Sequence, residues 1–413
     1  MIAPDRRIAL VVTLVGGLAF VVLAVLLVPW HPVPGGTPDP APASSVFTAA
    51  EIARGEDYAR WARVWSWSSL AVSLVVSCVL GFSRWGPRLV GLLRGWWWVR
   101  VVLAVAAVVV IGRVITLPFA VLMRRHVLDN GLSNQAWSGF AADLVRTEAV
   151  QIVATSVLLV VLVGCARRWS RAWPAVAGGL LGILVLLGSF VYPVIVEPIF
   201  NDFTSLPDGP LRTEVLQLAE REGVPVDDVL VADASRRTTT LNAYVSGFGG
   251  TRRVVLYDNL VDDVPRDQAL SVVAHELAHA KHDDVRTGSL LGAAGAVFGI
   301  GLLALVLGAL AARGRPPMRD PAVVPLMLAL LAIGTLLASP VQNTISRQIE
   351  TRADVDALEV THDAAAFEAV QRQLALRSLA DPMPPRITQF WFGSHPLGLT
   401  RIAIARQLDE RGF

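Results

Sequence analysis

Seven stretches of this sequence, near 8–29, 65–83, 97–117, 149–166, 175–195, 287–311 and 321–341, are apolar over the ~20 residues that a helix needs to cross a bilayer. No other feature restricts the fold as much. In lipid every backbone N–H and C=O must find its partner inside the protein, so spans of this kind are helices. The composition agrees, with 54% hydrophobic and 17% charged residues and a mean hydropathy of +0.53. Trp30, Trp65, Trp67, Trp85, Trp96, Trp97, Trp98, Trp169 and Trp173 fall at or near the ends of these stretches, where amphipathic rings sit at a membrane interface. The first stretch is followed by "PDPAPASS", whose small residues would also suit a signal-peptide cleavage site. Its apolar core exceeds the ~7–15 residues of a signal peptide, which predicts a retained helix.

A formal charge of +2 is too small for a nucleic-acid partner, and no nucleic-acid motif is present. The two cysteines, Cys78 and Cys165, lie in separate apolar runs, so neither a disulfide framework nor Cys-x-x-Cys chemistry is expected.

The polar stretches divide the chain into 1–199 with five spans, 200–286, 287–341 with two spans, and 342–413. A Pro/Gly-rich loop is expected over 31–60, turning helical near "FTAAEIARGEDYARWARV", and a second loop over 118–148. Within 200–286 the pattern predicts α+β structure. "GPLRTEVLQLAEREGV" has helical spacing and stops at Gly223. "DDVLVADAS" and "NAYVSGFGGTRRVVLYDNLV" read as strands, with "GFGGT" as a hairpin turn. "RDQALSVVAHELAHAKH" then forms a helix with Ala269, Leu270, Val273 and Leu277 on one face and His275 and His279 on another.

Three of the seven histidines lie within eight residues, in "HELAHAKH". His-Glu-x-x-His on a helix places two imidazoles one turn apart, able to share one Zn²⁺. Glu276 between them can reach a metal-activated water as general base. His282 has no ligand spacing and reads as surface or supporting polarity. A catalytic zinc site needs a third protein ligand and an open fourth position. Candidates are His31, His126, His362, His395 and the carboxylates, and "ISRQIETRADVDAL" offers the best of them. Glu350 and Asp354 are four apart on one helix face, as in the second motif of thermolysin-like sites. There the Glu ligates zinc and the Asp fixes the tautomer of a ligand histidine. Taken alone, each motif also fits a solvated helix face.

With these motifs the chain resembles the type I CAAX prenyl endopeptidases, membrane-embedded zinc metallopeptidases with a gluzincin site. "LPFAVLMRRHVLDNGLSNQ" (117–135), "YPVIVEPIFNDFTSL" (192–206), "LNAYVSGFGGTRRVVLYDNL" (241–260), "HELAHAKHDD" (275–284), "SRQIETRAD" (346–354) and "SHPLGLTRI" (394–402) follow the family's order. The resemblance implies a multi-pass α-helical membrane protein, with about seven transmembrane helices around an intramembrane chamber and an α+β zincin domain. It implies one Zn²⁺ per chain, held by His275, His279 and Glu350, with Glu276 as catalytic acid/base and Asp354 behind a ligand. It further implies that His395 and Arg401 stabilise the oxyanion and support the site, and that Asn242 lies beside the bound peptide. Where the eukaryotic members carry a further histidine, this chain has Asp284.

The expected activity is hydrolysis of extended or membrane-proximal peptides in the cell membrane. The expected partners are the lipid bilayer and a peptide or protein substrate, lipidated or otherwise membrane-associated. Two alternatives are a zinc-binding pseudoenzyme or chaperone, and a transporter. The first is opposed by the presence of Glu276, the second by the scarcity of ionisable residues in the spans, where only Arg113 stands out. The segments on the N-terminal side of the membrane carry twelve arginines (Arg6, Arg7, Arg84, Arg88, Arg94, Arg100, Arg167, Arg168, Arg171, Arg313, Arg315, Arg319). The first and third loops carry six (Arg54, Arg60, Arg63, Arg124, Arg125, Arg146). The positive-inside rule therefore puts the N-terminus in the cytoplasm and the zincin domain outside. Resemblance to the eukaryotic enzymes implies the opposite, a site facing the cytosol.

Overall fold

A computed structural model of the chain describes residues 5–191, 195–247 and 252–412. Its helices in chain order are α1 (Arg6–Leu27), α2 (Ala49–Phe82), α3 (Trp85–Gly91), α4 (Trp97–Asp129), α5 (Trp137–Arg168), α6 (Trp173–Val191), α7 (Glu197–Phe200), α8 (Pro210–Arg221), α9 (Asp258–Asp263), α10 (Arg266–Lys281), α11 (Asp284–Ala311), α12 (Val324–Thr361), α13 (Ala364–Ser378), α14 (Arg386–Phe392) and α15 (Gly398–Asp409). Six of them, α1, α2, α4, α5, α11 and α12, are long and apolar enough to cross a membrane, and α6 is a shorter apolar helix.

Several helices run beyond the apolar stretches that announce them. Thr48 and Glu51 form a capping box, so α2 starts at Ala49 and continues unbroken into the span. The loop expected over 118–148 is mostly helix. α4 passes through Pro118, and only 130–136 separate it from α5. Pro118 does not stop the helix, because packed membrane helices tolerate proline. Trp173, at the start of α6, is 1% exposed and packs with Leu159, Leu162, Ala304 and Met327 in the core between the helices. Arg113 of α4 pairs with Glu148 of α5, which compensates a charge that would otherwise be costly beside lipid. α1 lies close on α11 because glycine removes the obstacle: a Cβ on Gly16 would stand 2.3 Å from the backbone N of Phe298.

The arginine-bearing helix ends gather on one face. The Asp5 N–H donates to the Arg171 carbonyl at 3.2 Å. Arg167 donates to the Arg319 carbonyl at 3.1 Å, and Arg315 to the carbonyls of Phe82 and Ser83.

Beyond the other ends of the helices sits a four-stranded sheet of order β1-β2-β4-β3, with β1 (Phe203–Ser205), β2 (Asp228–Ala232), β3 (Ala243–Ser246) and β4 (Arg253–Tyr257). β2 and β4 are parallel, and β1 and β3 pair antiparallel to them as the edges. β3 and β4 are the expected hairpin strands, but most of the "GFGGT" turn lies outside the described residues. Val229, Leu256, Val273 and Leu277 pack sheet, α8 and α10 into one core. Gly223, at φ 68°, ends α8 in the left-handed conformation that glycine adopts without steric cost.

Candidate metal centre

α10 buries Ala269, Val273 and Leu277 against the sheet, which turns His275, Glu276 and His279 toward α12. α12 is 38 residues long, so it outruns the bilayer and lays its last turns along α10. Glu350 and Asp354, one turn apart, meet the histidines there.

The three candidate ligand atoms lie within 4.8 Å of one another. His275 Nε2 is 3.3 Å from His279 Nε2 and 3.3 Å from Glu350 Oε2, and His279 Nε2 is 3.7 Å from Glu350 Oε1. A tetrahedral ion with bonds of ~2.0–2.1 Å needs ligand atoms roughly 3.3–3.4 Å apart, so the spacing fits zinc. Glu350 Oε2 is also a buried carboxylate oxygen that makes no hydrogen bond of ordinary geometry, only the 3.3 Å approach of His275 Nε2. A cation between these three side chains would satisfy it.

Each histidine is oriented from behind. His275 Nδ1 donates to Asp354 Oδ1 at 2.9 Å, and Arg401 Nε donates to Asp354 Oδ2 at 2.8 Å. Asp354 is fully buried, so its charge depends on this arginine. His279 Nδ1 faces Asp284 Oδ2 at 2.9 Å, and Arg352 pairs with Asp284 Oδ1. Burial alone would push the His275 pKa down. Asp354 and Glu350, one on each ring nitrogen, outweigh burial and raise it to about 10 in the metal-free chain. Burial raises Glu276, against the opposing pull of His275 and His279. For His395, burial lowers the pKa although Glu350 is near.

A cavity of about 550 Å³ opens over the centre, lined by Asn242, Tyr244 and Val245 on one side and by His275, Glu276, His279, Glu350 and His395 on the other. His395 reaches in from the segment before α15, with Nε2 3.4 Å from Glu350 Oε2. Arg401 does not line the cavity. Its bonds to Asp354 place it behind His275. His282 turns away to Asp356 at 2.6 Å, and His126 stacks on Tyr58.

Sequence reasoning gave Asp284 and Arg352 no role. Asp283 takes a left-handed conformation (φ 51°), which folds Asp284 back beneath His279. An aspartate five residues after His279, at the start of the next helix, was the available signal. Arg347 was also missed. It donates to the carbonyls of Gln389 (3.2 Å) and Gly393 (2.6 Å), while Gln389 Nε2 donates to the His395 carbonyl at 2.7 Å. Arg347 thereby ties the helix that carries Glu350 to the loop that carries His395.

Comparison with known proteins agrees with this geometry. A family model described as peptidase family M48 matches residues 205–409, and one described as CAAX prenyl protease N-terminal, five membrane helices, matches 36–202. The chain belongs to peptidase family M48. It is a multi-pass integral membrane metallopeptidase. A Bacillus subtilis protein named as an uncharacterized metalloprotease, YhfN, is 29% identical over 308 residues, which cover 73% of this chain and 72% of that one. The CAAX prenyl protease 1 homolog of Arabidopsis thaliana is 30% identical over 179 residues, covering 43% of this chain and 42% of the plant protein. CAAX prenyl protease 1 of Saccharomyces cerevisiae is 40% identical over 100 residues, covering 24% of this chain and 22% of the yeast protein. The fold matches the crystal structure of S. mikatae Ste24p with a TM-score of 0.79 at 19% identity, over 96% of this chain and 99% of that one.

Proposed function

We propose that this M48 member is a zinc endopeptidase acting on extended or membrane-proximal peptides, with His275, His279 and Glu350 as ligands to one Zn²⁺. The observation that carries this reading is the position of Glu276. It lies beside three ligand atoms at tetrahedral spacing, in a cavity with a sheet-edge strand on its wall. Bound zinc would polarise the scissile carbonyl and lower the pKa of an attacking water toward ~7.

The remaining steps belong to the chain. A substrate in extended conformation pairs with the outer edge of β3, and Asn242 at its start holds the backbone. Glu276 accepts the proton of the attacking water and delivers it to the departing amine, a cycle favoured by its burial-raised pKa. His395 donates to the oxyanion. Asp354 and Arg401 hold the His275 ring in the tautomer that presents Nε2. Residues 1–199 and 287–341 supply the membrane helices, and 200–286 and 342–413 together form the zincin domain. The substrate is a peptide or protein, lipidated or membrane-associated, met in the cell membrane without nucleic acid.

Metal analysis of purified protein in nanodiscs, combined with cleavage of a peptide library, tests this. One zinc per chain, chelator-sensitive cleavage and a large loss of zinc in Glu350→Ala are expected. Full zinc occupancy in Glu350→Ala would mean that the third ligand lies elsewhere.

A further inference from the structure

The two histidines of the centre are supported in the same way from opposite sides. His275 has the Asp354–Arg401 pair at its Nδ1. His279 has Asp284 at its Nδ1, and Asp284 in turn has Arg352. We propose that Asp284, held by Arg352, is the positioning residue for His279 and sets the metal affinity of the site. This rests on the reading of His275, His279 and Glu350 as metal ligands.

Three observations carry it. The contact is at Nδ1, at 2.9 Å, so it fixes the tautomer that leaves Nε2 facing His275 Nε2 and Glu350. The carboxylate is largely enclosed, with 9% of the Asp284 side chain exposed, and both of its oxygens are engaged, one by His279 and one by Arg352. Asp284 is also the first residue of a 28-residue helix, where the positive end of the helix dipole favours a carboxylate. The left-handed turn at Asp283 brings that helix start under His279. α12 therefore serves the centre three times: Glu350 toward the metal position, Asp354 toward His275, and Arg352 through Asp284 toward His279.

Zinc affinity of the full-length protein in nanodiscs, measured by chelator competition, tests the proposal. Asp284→Ala should weaken zinc binding by ~10–100-fold, as loss of an outer-shell partner of a ligand histidine does. Asp284→Asn keeps an oxygen that accepts from Nδ1 and should recover most of that loss. Arg352→Gln should fall between them. Asp356→Asn disturbs the same helix pair through His282 instead and should leave zinc affinity unchanged. Cobalt(II) loaded in place of zinc adds a readout of ligand geometry, and its visible spectrum should change in Asp284→Ala but not in Asp356→Asn. If Asp284→Ala does not fold, Arg352→Gln decides by the same two readouts. Wild-type affinity and spectrum in the deciding variant would overturn the positioning role while leaving the zinc peptidase reading intact. An equal loss in Asp356→Asn would also overturn it. A wild-type chain that binds no zinc would remove both.

Discussion

The indole Nε1 of Trp391 donates to the carbonyl of Leu336 at 2.9 Å. That carbonyl is the one that Pro340, inside α12, leaves without its helical N–H donor. The Ser339 hydroxyl donates to it as well, at 2.8 Å, and Asn343 donates to the Trp391 carbonyl at 2.7 Å. α14 is thus docked into the proline break of the helix that, ten residues later, presents Glu350.

Trp391→Phe removes one of the two replacement donors and keeps an aromatic ring. The expected cost is about 1 kcal/mol, that of one hydrogen bond with the acceptor still partly satisfied. It should appear as a lower melting temperature in detergent, with zinc content unchanged. A variant as stable as wild type would show that the Ser339 hydroxyl suffices.

The parts of this molecule that could be read from sequence are those whose cause is local. His275, His279, Glu350 and Asp354 stand at i, i+4 spacing, and helix geometry alone puts each pair on one face. The spans announce themselves because lipid demands unbroken apolar helix. Other features depend on tertiary contact and left no local trace. Pro118 reads as a loop in sequence yet lies within α4. "RITQFWF" is too short to predict as a helix, and its place is set by Leu336 and Arg347 on a distant helix. The motif that carries Arg401 gives no sign that its guanidinium is held by the buried charge of Asp354. The spacing of Asp284 from His279 is visible in sequence, but the contact itself depends on the left-handed turn at Asp283.

Zinc binding should release a proton from His275. With Asp354 and Glu350 raising its pKa to about 10, the metal-free ring carries protons on both nitrogens at pH 7. A metal at Nε2 must displace one of them. The sign follows from the raised pKa. Affinity should climb with pH until about 10 and fall on acidification. Calorimetry at pH 7 in two buffers of different ionisation heat measures the release, and Asp354→Asn should diminish it. Binding heats that do not depend on the buffer would contradict the protonated ring.

The arginine-bearing helix ends, gathered on one face by Asp5–Arg171, Arg167–Arg319 and Arg315–Phe82 bonds, should lie in the cytoplasm, with the zincin domain outside. Asp208 is fully exposed in that domain. A single cysteine placed there, after Cys78 and Cys165 are changed to serine, should react with a membrane-impermeant maleimide in intact cells. Reaction only after lysis would reverse the orientation and place the site in the cytosol.

Glu276→Gln separates mechanism from metal binding. The amide matches the carboxylate in size and leaves His275, His279 and Glu350 untouched, so zinc should stay bound and the fold unchanged. An amide cannot take up the water's proton at neutral pH. The rate should therefore drop by ~10²–10⁴-fold, the usual contribution of a positioned general base. The loss should fall on kcat more than on KM, because β3 and Asn242 would still bind the extended peptide. Cleavage at the wild-type rate would exclude Glu276 as the base. Loss of zinc together with activity would show instead that Glu276 helps to hold the metal from its place on the cavity wall beside both histidines.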